Sequence, residues 1–348
     1  MSGISQAGGW GILGRVADDA STVRSRLDTL TAQASTGRVS DNLAGLGAGA
    51  RVSLNLRPQQ TALAGWQSNI DQAQLRMDST QTAMTSINQA VSDIYKKLPT
   101  LDGLDGNSVD SLAASARDAL KQVTGLLNTR VGSVYLFSGA DSANPPVPDG
   151  DAILTGSFGN AIKAAMQGLG TNGAAATAAA ATAASMGTAP FSATLTGPAS
   201  MLEVGEGEQV QTGLLANANT LSDPGSASPT GSSMRDALRG LAMLANLSST
   251  QLKDGGFNGL VEGIRSSLGG AITGLGNEAG VLGNTQAGLD TRKTTMQATS
   301  ITLSQQISNA EDVDMTKTLS SLTQVQAQLQ ASYKLISSVS KLSLVDYL

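Results

Sequence analysis

The sequence contains no histidine and no cysteine, and aromatic residues make up only 3% of its 348 positions. Without histidine the chain has no imidazole to serve as a general base or as a metal ligand. Without cysteine it has no thiolate nucleophile, no zinc–thiolate site and no disulfide. These absences remove many of the side chains on which enzymes and metalloproteins depend. We therefore predict a non-enzymatic protein with no catalytic residues, no cofactor and no bound metal.

Charged residues are also scarce, at 14%, and the formal net charge is −5. Because an acidic chain is repelled by nucleic-acid phosphates and by anionic lipids, we expect neither nucleic acid nor a membrane as a partner. The N-terminal residues lack a basic region followed by an apolar one, and no segment is apolar enough to span a bilayer. If the protein is exported, we expect a route that does not use a cleavable signal peptide.

With few aromatic side chains, burial must come from Leu, Val, Ile, Met and Ala, which suits long helices that meet along narrow seams. The N-terminal region shows such a seam, in which apolar residues are spaced alternately three and four apart: Leu13, Val16, Ala20, Val23, Leu27, Leu30 and Ala34. This spacing is an a/d heptad pattern, typical of coiled coils. A Ser-Thr-Gly sequence ends the pattern, and Gly37 is predicted to cap the helix.

Further helical patterns follow along the chain. A second heptad run extends from Leu63 to Leu98, which predicts a helix about 54 Å long, and Pro99 with a glycine-rich turn ends it. Another helix is predicted from Val109 to about Leu127. Near the C-terminus one stripe covers 289–310, and a second follows the acidic segment 311–314. That second stripe consists of Leu319, Leu322, Gln326, Leu329, Tyr333 and Ile336.

The region between these helices has a different composition. It holds a proline-rich segment at 144–148 and a low-complexity Ala/Thr/Gly segment at 171–189. Short alternating segments that begin at Phe191, Ser200 and Glu208 predict strands. Helical patterns return at 234–247 and 257–275. We therefore predict an inserted domain of mixed α+β structure.

These patterns predict a mainly α protein: an elongated multi-helix rod domain built from both chain ends, with terminal coiled-coil helices and an inserted α+β middle domain. The predicted segments are a terminal helix 1–41 that pairs with 311–348, a rod of 42–140 and 281–310, and an insert of 141–280. A helix cannot bury its own seam, so the terminal stripes should pair with each other, with neighbouring copies, or with both. The predicted assembly-interface residues are Leu13, Val16, Val23, Leu27, Leu30, Leu322, Leu329, Tyr333, Ile336 and Leu342.

Three segments resemble the flagellin superfamily in their order and spacing. Residues 30–41 (LTAQASTGRVSD) resemble the bend between the first two helices of that family. Residues 307–315 (ISNAEDVDM) resemble the acidic turn before its last helix, and residues 324–348 resemble that helix and the tail. The resemblance covers roughly 1–150 and 280–348.

One segment bears on the branch within the superfamily. Residues 127–139 (LNTRVGSVYLFSG), followed by Asn-Pro-Pro-Val, resemble the branch that joins hook to filament more than the filament subunits. The ending LSLVDYL favours the same branch. Arg130 departs from that branch's pattern, and the low-complexity part of 160–200 matches nothing in it.

The resemblance implies a structural subunit of the bacterial flagellum that forms the hook–filament junction and templates flagellin assembly. It implies export, unfolded, through the flagellar type III channel to the cell exterior. The implied partners are other copies of the chain in a ring, flagellin, the neighbouring hook-side junction protein and a cytoplasmic export chaperone. The alternative is flagellin itself. A surface adhesin whose middle domain binds an external ligand comes next. An enzyme that works through carboxylates, Ser/Lys or a carboxylate-bound metal comes last.

Two patterns could suggest chemistry and are interpreted otherwise. Residues 168–173 match G-x-G-x-x-G, but the segment before them has a helical pattern rather than that of a strand, so we interpret the match as a loop. The acidic groups at 203–208 and 311–314 could form a carboxylate pair or a cation site. We interpret the first as a solvated strand edge or turn, and we expect Asp312 and Asp314 to precede a helix, where acidic residues suit the positive end of the helix dipole.

Overall fold

The computed structural model describes residues 6–98 and 105–345, and side chains at 14–98 and 105–338. Within this described part lie eight α-helices and two short antiparallel strand pairs. The helices are α1 Gln6–Thr36, α2 Gly49–Lys97, α3 Gly106–Leu127, α4 Ser157–Gln167, α5 Leu169–Met186, α6 Ser233–Ala245, α7 Phe257–Glu311 and α8 Met315–Val345. The strands are β1 Arg130–Val131, β2 Val134–Tyr135, β3 Met201–Gly205 and β4 Glu208–Gln211. The prediction of a mainly α fold with a mixed insert is confirmed.

The chain divides into two compact units. The terminal unit consists of the residues up to Ala64 and those from Gln297 onward, and the central unit consists of Gly65–Met296. Helices α2 and α7 each contribute residues to both units. The four-segment division drawn from the sequence, with boundaries at 41, 140, 280 and 310, stays a prediction.

The heptad run predicted from Leu63 is the buried face of α2. From Ile70 to Leu98 its members are at most 3% exposed: Ile70, Ala73, Met77, Thr80, Met84, Ile87, Val91, Ile94 and Leu98. Leu63 and Trp66 are half-buried. The helix itself begins earlier than the pattern, at Gly49. The apolar pattern does not predict these first turns, because the buried residue there is the polar Ser53 and the apolar Leu54 is exposed.

Helix α6 is the most fully buried of the described helices in the central unit. Every residue of Ser233–Ala245 is buried except the half-buried Arg235. The helix packs against α3, α4 and α5, so apolar neighbours surround it. The Ser232 side chain caps its first turn by accepting a hydrogen bond from the backbone of Arg235. The helix predicted over 234–247 is therefore confirmed, and it is the part of the insert most completely removed from water.

The low-complexity segment folds as α5. Alanine has the highest helix propensity, so a run rich in it forms a helix even without a strong apolar stripe. Thr177, Ala181 and Ser185 lie four residues apart and are buried, whereas Ala176 and Ala180 are exposed to solvent. Helix α5 therefore presents little but methyl groups on its outer face.

Two of the three predicted strands are confirmed and one is wrong. Strands β3 and β4 pair antiparallel, with Leu202 opposite Val210. The segment from Phe191 forms turns instead: Phe191 N–H donates to Thr188 and Leu195 N–H donates to Ser192, while Ser192 N–H donates to Pro146 as a single bond rather than a ladder. A local turn satisfies the same groups that a strand ladder would use.

Candidate assembly site

Helices α1 and α8 pack along one another within the terminal unit. On α1 the covered face consists of Val16, Ala20, Val23, Leu27 and Leu30, of which Ala20 is 5% exposed and the others are half-buried. On α8 the covered positions alternate at spacings of four and three: Thr318, Leu322, Val325, Leu329, Ser332 and Ile336. This alternation is the a/d pattern of a two-helix seam. Most of its side chains remain half-buried, because a single pair of helices covers each side chain on one side only.

Nine of the ten predicted interface residues fall into two groups, and Tyr333 stands apart. Val16, Val23, Leu27, Leu30, Leu322, Leu329 and Ile336 are half-buried in the seam. Leu13 and Leu342 lie on α1 and α8, but their side chains lie outside the described residues. Tyr333 is 49% exposed and lies off the seam. The pattern predicted for α8 is displaced by one position at 319, 326 and 333. The covered neighbours Thr318 and Ser332 are polar and carry no apolar signal, whereas Val325 is apolar and buried, and the strict heptad spacing placed Gln326 there instead.

The bend after α1 and the turn after α7 are hydrogen-bonded to each other. The N–H of Val39 donates to the carbonyl of Glu311 at 2.7 Å, and the N–H of Val313 donates to the carbonyl of Gly37 at 2.9 Å. Gly37 has φ of 72°, a conformation that favours glycine, and its N–H caps α1 by bonding to Gln33. Two of the three segments that carried the resemblance in the sequence, 30–41 and 307–315, thus meet in space.

Glu311 is the centre of a charged cluster at this meeting point, formed with Arg38, Ser53 and Arg57 and called here the Glu311 cluster. One carboxylate oxygen accepts from Ser53 Oγ at 2.6 Å and from Arg57 Nε at 2.8 Å. The other accepts from Arg57 Nη2 at 2.6 Å and from Arg38 Nη2 at 3.1 Å. The Glu311 side chain is 7% exposed, whereas the two arginines are 49% and 45% exposed.

The hydrogen bonds from Arg57 and Ser53, with the charges of both arginines, lower the pKa of Glu311 to about 2. Glu311 is therefore ionised at neutral pH although it is buried. Buried carboxylates are tolerated when they are paired and fully hydrogen-bonded, and this carboxylate has four donors. Sequence reasoning missed this role, because the donors lie 254 to 273 residues away along the chain.

The start of α2 lies against the end of α7. A Cβ atom on Gly49 would stand 2.7 Å from the carbonyl oxygen of Ala310, so only glycine allows this approach. Further along, Gln60 Nε2 donates to Ser304 Oγ at 2.7 Å. An open groove of about 570 Å³ lies beside the Glu311 cluster, and Leu43 and Leu54 are among its apolar lining residues.

The other acidic residues have structural roles. Asp314 precedes α8 and its side chain accepts from the N–H of Lys317 at 3.1 Å, as the helix-start interpretation predicted. Glu208, on β4, forms an ion pair with Arg292 of α7, so it is more than a solvated strand edge. Among the described residues no three His, Cys, Asp or Glu side chains are grouped to hold a metal ion. The loop interpretation of the Gly-rich match at 168–173 is wrong: all of it except Gly168 belongs to α5, which is kinked at Gly173 with φ of 78°.

Exposed apolar side chains are concentrated in the terminal unit. Where side chains are described, eight large apolar residues of this unit are more than a third exposed: Leu43, Val52, Leu54, Ile301, Met315, Leu319, Tyr333 and Leu335. The larger central unit has three: Leu75, Met186 and Met201. No helix in the described residues has both the length and the apolar character needed to cross a membrane. Exposed apolar side chains mark protein–protein contacts where they form a contiguous surface.

The fold and this site define a mainly α protein whose two chain ends are built into one apolar-faced unit. Residues 18–142 match the family model of the bacterial flagellin N-terminal helical region, and residues 266–348 match that of the C-terminal helical region. The chain therefore belongs to the flagellin superfamily. Proteins of this superfamily are structural rather than catalytic, and they assemble with other flagellar proteins in the extracellular flagellum.

A solved structure described as a flagellar hook-associated protein from Vibrio parahaemolyticus is similar in fold. The match has a TM-score of 0.53 at 11% sequence identity, and it covers 75% of this chain and 96% of that chain. At this identity the likeness concerns the fold alone. No curated protein sequence matches the chain.

Proposed function

We propose that this chain is the subunit that joins the flagellar hook to the filament and templates flagellin assembly. Its partners are then other copies of itself in a ring, flagellin, the hook-side junction protein and an export chaperone. It is exported through the flagellar type III channel and resides at the hook–filament junction outside the cell. The observation that carries the proposal is the concentration of exposed apolar side chains in the terminal unit.

That concentration favours an assembling subunit on energetic grounds. Full burial of one leucine side chain stabilises a complex by roughly 1.5–3 kcal/mol. The eight exposed apolar residues of the terminal unit would contribute several such increments on each subunit of a ring. In a lone chain the same atoms stay in water and stabilise nothing. A neighbouring subunit that covers them is the simplest reason for their exposure.

Within α8 the seam and the outer face have separate roles. Leu322, Leu329 and Ile336 hold α8 against α1, so they belong to the inside of the terminal unit. Leu319 and Tyr333 are spaced by two heptads on the outer face and are 50% and 49% exposed. We assign contact with neighbouring subunits to this outer pair and support of the helix to the seam.

The preference for the junction branch over the filament branch rests on the sequence resemblance of the segment after α3. Asn128 of this segment forms two hydrogen bonds with the backbone of Val147, at 2.7 and 3.0 Å, and so holds the proline-rich segment against the end of α3. Phe137, from the same segment, is fully buried. Arg130, the departure from the pattern, is exposed on β1 and disturbs neither feature.

A deletion strain tests the proposal. Loss of attached filaments with flagellin shed as monomer into the medium is expected for a junction subunit, as seen by immunoblot and electron microscopy. If the deletion removes the filament protein itself, the chain is flagellin and the junction assignment is wrong.

The outer face is tested by complementing that strain with Leu319→Asp/Tyr333→Asp. This variant should fail to restore filaments, while the purified chain keeps its melting temperature. The matched control is Gln324→Asp/Gln330→Asp, at two exposed polar positions of the same helix, which should restore filaments. Filaments in the first variant would rule out the outer face as an interface.

A further inference from the structure

We propose that the central unit carries a binding groove for a short acidic oligosaccharide, such as a chain of uronic-acid units. The groove lies where the end of α6 and the segment 246–254 meet α3 and α4, and its volume is about 670 Å³. It is called here the polar groove. The inference goes beyond the proposed function, because assembly is assigned to the terminal unit and this groove belongs to the central one.

The polar groove is lined by side chains that can form hydrogen bonds. They come from α3, from α4 and from the segment after α6, and they include Arg117, Lys163, Gln167, Asn246, Thr250 and Asp254. None of the described residues that line the groove is aromatic, so a planar aromatic ligand would find no stacking partner there. The lining groups include both donors and acceptors, which matches the many hydroxyl groups of a sugar.

Three cations without partners favour a ligand that carries negative charge. Arg117 and Lys163 line the polar groove, and Arg117 also lines an adjoining hollow of about 340 Å³ together with Lys121. All three are exposed, and none has an ion pair or a side-chain hydrogen bond to any residue that the structure describes. The central unit as a whole has 19 acidic and 13 basic residues. Its unpaired cations at this groove therefore attract a carboxylate that most of the unit would repel.

Acidic residues in the same place limit how much negative charge the ligand can carry. Asp254 lines the polar groove, and Asp118 and Asp151 line the adjoining hollow. A densely charged chain, such as a nucleic acid or a sulfated polysaccharide, would be repelled by these carboxylates. A polyuronate carries a single carboxylate and several hydroxyl groups on each sugar. Its carboxylates can thus bind the cations while its hydroxyl groups donate to the acidic side chains.

Asp254 is the clearest acceptor for such a hydroxyl group. It is half-buried, and its carboxylate has no hydrogen-bond partner within the described part of the chain. A Cβ atom on Gly170 would stand 2.9 Å from Asp254 Oδ1, so the missing side chain of this glycine leaves room for the carboxylate. A partly buried carboxylate without a donor is unfavourable, and a sugar hydroxyl in the groove would supply one.

The segment that forms one wall of the polar groove is held in place without a ligand. The N–H of Ser249 donates to Asp110 Oδ1 on α3 at 3.0 Å, and Gln251 Nε2 donates to the carbonyl of Met166 on α4 at 2.6 Å. The N–H of Ser248 donates to Gln251 Oε1 at 3.0 Å. Because these bonds already fix the segment, binding would cost little ordering entropy.

Calorimetric titration of the full chain with trigalacturonate at low salt tests the groove. Trigalacturonate should bind, and maltotriose, a neutral sugar of the same length, should bind about tenfold more weakly or not at all. Arg117→Gln/Lys163→Gln should weaken the binding of trigalacturonate by about tenfold or more. The matched control is Arg76→Gln/Arg130→Gln, which removes the same charge at two exposed positions that line neither hollow and should leave the affinity unchanged.

A further variant separates a built site from a positively charged surface. Asp254→Ala removes a negative charge, so a mere positive surface would bind trigalacturonate more tightly, whereas loss of the hydroxyl acceptor should weaken binding several-fold. Tighter binding by this variant, no binding to the unaltered chain, equal binding of maltotriose, or full binding by Arg117→Gln/Lys163→Gln would overturn the proposal. A triglutamate peptide that binds as tightly as trigalacturonate would assign the groove to a protein partner instead. These outcomes leave the proposed function standing, because the deletion strain tests it separately.

Discussion

The terminal and central units differ in the number of apolar side chains that they expose and in their net charge. Where side chains are described, the terminal unit exposes eight large apolar residues; over its whole sequence it is nearly neutral, with nine basic and eight acidic residues. The central unit exposes three and has 13 basic and 19 acidic residues. A net negative surface keeps molecules apart, whereas exposed apolar area brings them together. One chain thus combines a region suited to being covered with a region suited to staying in water.

The largest expected effect is the loss of stability when a fully buried residue of the central unit is truncated. Phe137 is fully buried in the central unit, so Phe137→Ala should destabilise the chain by about 3–5 kcal/mol through lost transfer energy and a cavity. Urea unfolding followed by circular dichroism measures it. The control is Leu75→Ala, at a residue that is 59% exposed, for which a loss above about 0.5 kcal/mol would contradict the assigned burial.

A nearly equal effect is expected at the buried ion pair of α6. Asp236 Oδ1 lies 3.2 Å from Arg239 Nη2, and the two side chains are 1% and 5% exposed. Burial raises the pKa of Asp236 and lowers that of Arg239. Asp236→Ala leaves a buried guanidinium without its carboxylate, which should cost about 3 kcal/mol or more. Asp236→Ala/Arg239→Met should recover part of that loss in the same urea experiment, and no recovery would show that the pair is not coupled.

The seam of the terminal unit should respond less. Leu329 is half-buried, so Leu329→Ala should cost the terminal unit about 1–2 kcal/mol, below the range for a full core leucine. Exchange in α1 and α8 should rise while α6 keeps its protection. Gln330→Ala, at the exposed neighbouring position, is the control. Loss of α6 protection in Leu329→Ala would mean that the two units do not unfold independently.

The last expected effect, at Glu311, depends on pH and becomes smallest in acid. Its folded pKa is lowered to about 2 from an ordinary value of 4.5, so its contribution to stability is complete above about pH 4.5. That contribution should decline as the pH falls from about 4.5 towards 2. The stability difference between the unaltered chain and Glu311→Gln, measured in urea across this range, should therefore shrink. A difference that stays constant down to pH 2 would show that the carboxylate charge is not what stabilises the cluster.

The heptad runs were predictable from sequence because a local period of apolar residues reports directly on a buried face. The run from Ile70 to Leu98 is the clearest case. The same logic was half right at α8: Leu322, Leu329 and Ile336 are covered, but Thr318 and Ser332 are covered where the pattern predicted Leu319 and Tyr333. The role of Glu311 could not be predicted from local sequence, because its hydrogen-bond donors Arg57 and Ser53 are distant along the chain. The strand expected at Phe191 failed because serine and threonine offered local turns.

The methyl-covered outer face of α5 has a practical consequence. The chain has no cysteine, so one placed at Ala176 or Ala180 would be its sole thiol, on a helix face exposed to solvent. A maleimide dye attached there in living cells would show by light microscopy where each subunit resides. A single fluorescent spot at the base of every filament would indicate a connector present in a few copies. Fluorescence along the whole filament would indicate the bulk polymer subunit.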